Sequence, residues 1–273
     1  MIRDRDAGLS LPSSSVGRTP RDAWFATRSC GLTVSAPAGQ RGERAAGRWR
    51  LRRQPAIDGA IRVPRRGVLV VQAELNLITM DPVRLNESVD YIATELRPLV
   101  ESQSGNLGMS LHTNSELGVA VLETFWASGD ALRIGEHILA PSRHESVRRV
   151  TGTLCVERYA VPVFEREGPV RADSGVRLTR MDVEPSGVDD AVEVFGDTAV
   201  PWLAETEACR CILYLVDRQS GRTISESIWK DAKSMAASRS AAAAARVEAV
   251  TSAGCVVRSV EEYNVAFSSA RKY

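Results

Sequence analysis

The stretches LETFWASGDAL at residues 122–132 and SESIWKDAKSM at residues 225–235 share a pattern at a constant distance along the chain. Glu123 matches Glu226 and Trp126 matches Trp229, and each pair is 103 positions apart. The same step relates three further landmarks: Asp81-Pro82 to Glu184-Pro185, Pro98 to Pro201, and Gly118 to Gly221. A period of about a hundred residues is the size of a domain and is too long for a solenoid repeat. The sequence therefore predicts a duplicated domain.

Both halves show the same order of hydrophobic periods. In the first half, apolar residues alternate from Leu69 to Leu77, which indicates a strand, and recur at helical spacing from Leu85 to Leu99. Two strand-like runs separated by NSELG follow, then a second helix that we expect to kink or restart at Pro141, and then TLCVERYAV. The second half repeats this order, with its first helix expected over 188–204. The pattern predicts the ferredoxin-like β-α-β-β-α-β arrangement twice.

Each predicted sheet has one face covered by helices and one apolar face left open. Packing the two open faces together would bury both of them. We therefore expect an α+β fold in which residues 67–167 and 172–273 are two tandem ferredoxin-like units that form an intramolecular dimeric α/β barrel. The expected assembly is a monomer with this internal pseudo-dimer, or a homodimer of it.

Residues 1–66 differ in composition from the rest of the chain. They hold fourteen Arg, no Lys and five acids, a net charge of +9, which leaves about −8 for the remainder given the total of +1. Because this segment is rich in Ser, Pro, Gly and Ala and poor in spaced apolar residues, we predict a disordered tail, or a mis-assigned start codon ahead of Gly67. No aromatic interleaving organises its arginines, so no nucleic-acid partner is expected.

The composition also bears on location. No segment approaches eighteen uninterrupted apolar residues, so neither secretion nor membrane insertion is expected. The five cysteines are irregularly spaced and do not form the pattern of a disulfide framework. A reduced cytoplasmic setting fits them best. Dinucleotide-binding, P-loop, H-E-x-x-H, paired C-x-x-C and G-x-S-x-G motifs are lacking, which removes sequence support for nucleotide hydrolysis, zinc chemistry and serine hydrolysis.

The E-x-x-W strand, its short acidic turn and the Ala/Leu helix that follows resemble the antibiotic-biosynthesis-monooxygenase type of dimeric α/β-barrel protein. The segment LVDRQSGRTISESIW, residues 215–229, resembles the tandem actinobacterial members in particular. The resemblance covers about residues 67–270. It implies oxygenation of an aromatic or quinol-like small molecule without a cofactor, and heme binding or degradation as the alternative from another branch of the family.

The resemblance also implies site residues. Asn76 would position the substrate or reduced oxygen, His137 or His144 would accept a proton, and Trp126 would shape the pocket. In the heme branch His144 would be the ligand, but the tryptophan of that branch falls near Gly135 here. The alternatives are that His137 merely flanks the helix, that His144 begins a surface helix, and that Trp126 is core.

Strand periodicity points to a second group of candidates. Glu123 shares a predicted face with Phe125, opposite Trp126. An unpaired carboxylate on an apolar face has a raised pKa and would suit proton abstraction from a phenol or hydroquinone. The alternative is an inter-strand ion pair with Arg158 or Arg177.

His112 shares a strand face with Ser110, and it would lie either in the pocket or at the surface. The alternative function is a non-catalytic small-molecule-binding or interaction protein. It is favoured by the absence of histidine from the second unit and by the Ala-rich helix SAAAAARVEAV.

Overall fold

The computed structural model describes residues 70–271, and the predicted tail of residues 1–66 lies outside them. The first unit contains, in chain order, β1 (Gln72–Thr79), α1 (Leu85–Tyr91), α2 (Arg97–Glu101), β2 (Asn106–Asn114), β3 (Val119–Trp126), α3 (Gly129–Arg149) and β4 (Thr153–Arg166). A π-helical turn, Ile92–Leu96, joins α1 to α2, so that they form one covering helix. This order is the predicted β-α-β-β-α-β arrangement.

Side chains at the helix starts explain where the covering helices begin. The Asp81 carboxylate accepts a hydrogen bond from the Val83 N–H, and Pro82 occupies the first turn. The Ser128 hydroxyl accepts one from the Ala131 N–H at the start of α3. No new helix begins at Pro141, so that part of the expectation is wrong. Instead, α3 runs through Pro141, which lies on its exposed side.

The second unit repeats these elements in the same order. It contains β5 (Gly175–Asp182), α4 (Val188–Val194), α5 (Val200–Ala204), β6 (Cys209–Asp217), β7 (Arg222–Trp229), α6 (Ala232–Ala237), α7 (Arg239–Ala253) and β8 (Val256–Ser268). A π-helical turn again joins the first two helices, at Phe195–Ala199. The strand register repeats as well: Gln72 lies opposite Trp126, and Gly175 lies opposite Trp229, which keeps the step of 103.

The eight strands close into one antiparallel barrel in the order β1-β3-β2-β8-β5-β7-β6-β4. Two inter-unit seams complete it, since β2 pairs with β8 and β4 pairs with β6. Closure pairs the strands that would otherwise be the edges of each sheet. The predicted α+β fold, two tandem ferredoxin-like units forming an intramolecular α/β barrel, is thereby confirmed.

Alternation along the strands separates the buried residues into three clusters. One fills the barrel interior and draws on both units, for example Leu75, Val121, Leu178 and Ile224. The other two lie on the helix side of each unit, where the sheet meets its helices, and they contain Trp126 and Trp229 respectively. The predicted opposition of Glu123 and Trp126 across the sheet is therefore correct.

Among the described residues, no helix is both long enough and apolar enough to cross a membrane.

Candidate functional site

Three ionisable side chains meet in the barrel interior. His112 on β2, Glu123 on β3 and Glu226 on β7 are at most 1% exposed, and we call them the interior cluster. Nε2 of His112 lies 4.0 Å from Oε2 of Glu123 and 3.9 Å from Oε1 of Glu226. Because Glu226 comes from the second unit, the cluster exists only when the two sheets close into one barrel.

Most polar atoms of the interior cluster lack a partner. Both ring nitrogens of His112, Oε1 of Glu123 and both carboxyl oxygens of Glu226 make no hydrogen bond to the described residues. Buried side-chain polar atoms are paired in the large majority of cases, and an unpaired one is costly. Three such groups converging on one point mark a place where a further polar molecule would be bound.

Burial sets the protonation of the interior cluster. It raises the pKa of Glu123 to about 7. It also raises the pKa of Glu226 well above the usual range, with the nearby Glu123 carboxylate as a second cause. Burial lowers the pKa of His112 to about 3. At neutral pH the imidazole is therefore neutral, Glu123 is close to half ionised, and the protonated form of Glu226 is favoured relative to an exposed glutamate.

A small cavity of about 10 Å³ adjoins the two carboxyls. Phe125 and Phe164 line it with their rings 6.0 Å apart, and Arg166, Val170 and Ala270 are also among its lining residues. This volume corresponds to about one water molecule.

The spacing of the interior cluster suits water better than a metal ion. A first-row divalent ion holds its ligands at roughly 2.0–2.2 Å, so three ligands spread evenly around it would be about 3.6 Å apart. A water bonded at about 2.8 Å to atoms at right angles separates them by about 4.0 Å. The histidine nitrogen lies 3.9 and 4.0 Å from the carboxylates, and the three ligand atoms all lie within 4.8 Å of one another. A first-row divalent ion would require the three side chains to move closer to one another.

A second polar group lies on the helix side of the first unit. Nη1 of Arg143 donates to Oε1 of Glu74 at 2.7 Å, and Nε of Arg158 donates to Oε2 of Glu74 at 3.1 Å. The amide of Asn76 donates to Oε1 of Glu74 at 3.3 Å. Asn76 is 2% exposed, and its amide is part of this ion-pair network. The expected pairing of Glu123 with Arg158 is wrong, because the two side chains point to opposite faces of the sheet.

The other expected partner of Glu123 is also on the helix side. Arg177 binds Glu262, with Nη2 of the arginine 2.9 Å from Oε1 of the carboxylate. Its side chain is 3% exposed and faces α6 and α7 rather than the barrel interior. Neither arginine therefore neutralises Glu123. Burial raises its pKa, and the contact with the Glu226 carboxyl and the attraction of Arg180 oppose the rise only in part.

The residues on the helix side of the first unit do not fit a heme. A Cβ atom added at Gly135 would lie 2.2 Å from Cη2 of Trp126, so α3 rests directly on the indole. Leu132 and Leu139 are buried beside it. The His144 side chain is directed to the exposed side of α3, where Nδ1 lies 2.7 Å from the Ala140 carbonyl oxygen. The macrocycle has no room beneath α3, and its expected ligand lies outside that space.

Comparisons with known proteins agree with this architecture. No protein-family model matches the chain. The uncharacterized protein Rv2558 of Mycobacterium tuberculosis H37Rv is 23% identical over 211 residues, which cover 77% of this chain and 89% of that protein. The uncharacterized protein Rv2557 of the same strain is 21% identical over 185 residues, which cover 68% of this chain and 83% of that protein.

Solved structures match over a similar length. A candidate monooxygenase from Lactobacillus acidophilus NCFM is 9% identical with a TM-score of 0.57, covering 74% of this chain and 96% of its own. An anthrone oxidase-like protein is 21% identical with a TM-score of 0.54, covering 72% of this chain and 92% of its own. The chain has a monooxygenase-like barrel fold. The resemblance found in the sequence is confirmed at the level of this fold.

Within this monooxygenase-like barrel, the structure divides the predicted site residues into three groups. His112, Glu123 and Phe125 come together in the barrel interior. Asn76 and Trp126 lie on the helix side of the first unit, both buried. His137 and His144 are exposed on α3 and converge neither with Asn76 nor with the interior cluster.

Sequence reasoning left Glu226 out of the site. Its contact with His112 spans two strands more than a hundred residues apart, which no local pattern reports. A signal was nevertheless present: the duplication retains a glutamate at the same strand position while the histidines are lost.

Proposed function

We propose that this monooxygenase-like barrel oxygenates an aromatic or quinol-like small molecule without a cofactor, using the interior cluster for proton transfer. The observation that carries the proposal is the buried Glu123, whose Oε1 has no hydrogen-bond partner among the described residues and whose pKa of about 7 lets it accept a proton near neutral pH. Perturbed carboxyls in a buried cavity are characteristic of catalytic acid–base sites. The fold likeness to a candidate monooxygenase and to an anthrone oxidase-like protein supports the reaction class.

In the proposed reaction, an ionised Glu123 takes a proton from an acidic O–H or C–H bond of the substrate. The resulting anion reacts with molecular oxygen. For a methylene carbon flanked by aromatic rings, two C–H bonds break, a C=O bond forms and the second oxygen atom leaves as water. The carbon is oxidised and oxygen is reduced, so no other reductant is needed. The protein's part is to deprotonate, orient and exclude bulk water.

The other members of the interior cluster have distinct roles in this proposal. His112 stays neutral because burial lowers its pKa to about 3, so it would hydrogen bond the substrate or the oxygen rather than act as the base. Burial and the neighbouring Glu123 carboxylate favour the protonated form of Glu226, which would donate a hydrogen bond. Phe125 and Phe164 supply apolar walls for an aromatic ring.

Access to Glu123 would require the lining of the cavity to open. The free volume of about 10 Å³ admits water, so an aromatic substrate enters only if Val170 and Ala270 move aside. The small molecule is the partner in this proposal, and the monomer with its internal pseudo-dimer is the required assembly.

Oxygen uptake by the purified protein tests the proposal. With an anthrone and a hydroquinone as probes, we expect uptake that rises with pH through about 7 and is reduced at least a hundredfold in Glu123→Gln, with unchanged circular dichroism. Glu193→Gln, an exposed glutamate on α4, is the matched control and should retain the full rate. Uptake that is insensitive to Glu123→Gln would contradict the proposal.

A specific observation favours a second candidate, a non-catalytic role. The helix side of the first unit is filled by Trp126 against Gly135, and the interior cavity is small. In this case the interior cluster fixes how the two units pair, and neither probe is consumed by the wild-type protein. Glu123→Gln would then alter only stability.

A further inference from the structure

The helix sides of the two units carry equivalent positions with different charges. Glu74 on β1 and Glu136 and Arg143 on α3 correspond, at the step of 103, to Arg177 on β5 and Arg239 and Arg246 on α7. The first unit therefore has two acids and one base at these three positions, whereas the second has three arginines. We call Arg177, Arg239 and Arg246 the arginine cluster.

The charges of the first unit are balanced by contacts within it. Glu74 binds Arg143 and Arg158 at 2.7 and 3.1 Å. Glu136 binds Arg158 and lies 3.7 Å from Nη2 of Arg143. Two carboxylates face two guanidinium groups, so this network needs no further ion.

In the second unit, a single carboxylate, that of Glu262, pairs with the arginine cluster. Glu262 on β8 accepts hydrogen bonds from Nε and Nη2 of Arg177, at 3.0 and 2.9 Å, and also pairs with Arg239. The remaining donor of Arg177, Nη1, donates to the Ser238 hydroxyl at 3.0 Å, and Nη2 also donates to the Met235 carbonyl at 2.7 Å. Arg177 is therefore satisfied, and Glu262 is shared by two cations.

Arg246 has no such partner. It lies two turns beyond Arg239 on α7 and hence on the same face of that helix. It is partly buried, and it makes no hydrogen bond or ion pair with another described residue. Burial and repulsion from Arg177 lower the pKa of Arg246 from its usual value, and the attraction of Glu262, which already binds two other arginines, opposes this only in part. The local count is three guanidinium groups and one carboxylate, an excess of two positive charges.

On α7, the residue that shares a helix face with Arg239 and Arg246 is an alanine, Ala242. Ala242 on α7 takes the position of the buried Leu139 in the first unit. The Trp229 ring faces Arg177, with its centre 5.9 Å from Cζ of that residue. The second unit thus combines unbalanced positive charge, a shortened helix side chain and an aromatic face.

We propose that the arginine cluster binds the oxyanion group, a carboxylate or a phosphate, of a small molecule between α7 and the sheet of the second unit. Arg246 and Arg239 offer guanidinium donors whose planar geometry matches either group. The site lies on the opposite side of the sheet from the interior cluster, so it does not depend on the proposed oxygenation.

Thermal unfolding of the full chain tests this site. Sodium phosphate and sodium benzoate are titrated separately against sodium chloride at equal ionic strength. We expect one of the two oxyanions to raise the Tm in a saturable manner, and its identity distinguishes phosphate from carboxylate recognition. Arg246→Gln should weaken the apparent affinity at least tenfold. Arg218→Gln, an exposed arginine paired with Asp189, is the matched control and should respond as the wild type does.

A charge reversal gives an independent readout. Arg246→Glu places the missing carboxylate beside Arg177 and Arg239, so it should raise the Tm in chloride alone and abolish the response to either oxyanion. The proposal is overturned if the wild type shows no saturable shift beyond chloride, if Arg246→Gln keeps the wild-type affinity, or if Arg246→Glu lowers the Tm in chloride.

Discussion

Glu226 occupies on β7 the position that Glu123 occupies on β3, and the two carboxyls face each other in the barrel with their ligand atoms and that of His112 within 4.8 Å. The duplication thus brings one residue of the ancestral pattern into contact with its own copy. Two acids at such a distance cannot both ionise readily in a dry interior. Their mutual repulsion and burial make the interior cluster sensitive to pH, which leads to the first two predictions.

Glu123→Gln should be more stable than the wild type by a margin that grows as the pH rises. The folded-state pKa of Glu123 is about 7 and its ordinary value is 4.5, so between these values the folded protein binds more protons than the unfolded chain. The wild type therefore loses stability relative to the variant from pH 4.5 to 7, and the difference levels off above pH 7. A shift of this size corresponds to roughly 3 kcal/mol. Urea unfolding at several pH values measures it, and a difference independent of pH contradicts it.

His112→Gln should show the opposite pH dependence. Burial lowers the pKa of His112 from 6.5 to about 3, so between these values the unfolded chain binds the additional proton. The wild type should therefore lose stability relative to the variant as the pH falls from 6.5 towards 3. Chemical unfolding at pH 7.5 and pH 4 distinguishes the two signs. If the stability of the variant changes with pH as that of the wild type does, the pKa of His112 is not lowered by burial.

Gly135→Ala should destabilise the protein because α3 rests on Trp126. The added Cβ would lie 2.2 Å from Cη2 of the indole, which is buried and cannot move freely. Overpacking of this kind costs about 1–3 kcal/mol. Gly129→Ala is the matched control in the same helix, because a Cβ there meets nothing within 4 Å. Thermal unfolding of both variants measures the difference, and equal Tm values would contradict the close packing.

The sequence predicts the fold better than it predicts the site. Alternation on β3 and β7 is a local property, and it correctly placed Glu123 and Trp126 on opposite faces. The partners of Glu123 are not local, since His112 and Glu226 reach it across a hairpin and across the barrel. The alternative of an ion pair between Glu123 and Arg158 is wrong, because the position of Arg158 in β4 turns it towards α3. The register between strands and the closure of the barrel decide which charged side chains meet. Neither can be deduced from the sequence of one strand.

Arg143→Met should destabilise the first unit by about 3 kcal/mol, because it leaves the buried Glu74 with one cationic partner, the half-exposed Arg158. Arg133→Met removes a largely exposed arginine from the same helix and should change stability by less than about 0.5 kcal/mol. The double variant Glu74→Met with Arg143→Met removes both charges together, so it should recover much of the loss. Urea unfolding of Arg143→Met, the single variant Glu74→Met and the double variant gives the coupling between Glu74 and Arg143. If the double variant is as unstable as the two single losses added together, Arg143 acts through packing of its stem rather than through the charge of Glu74.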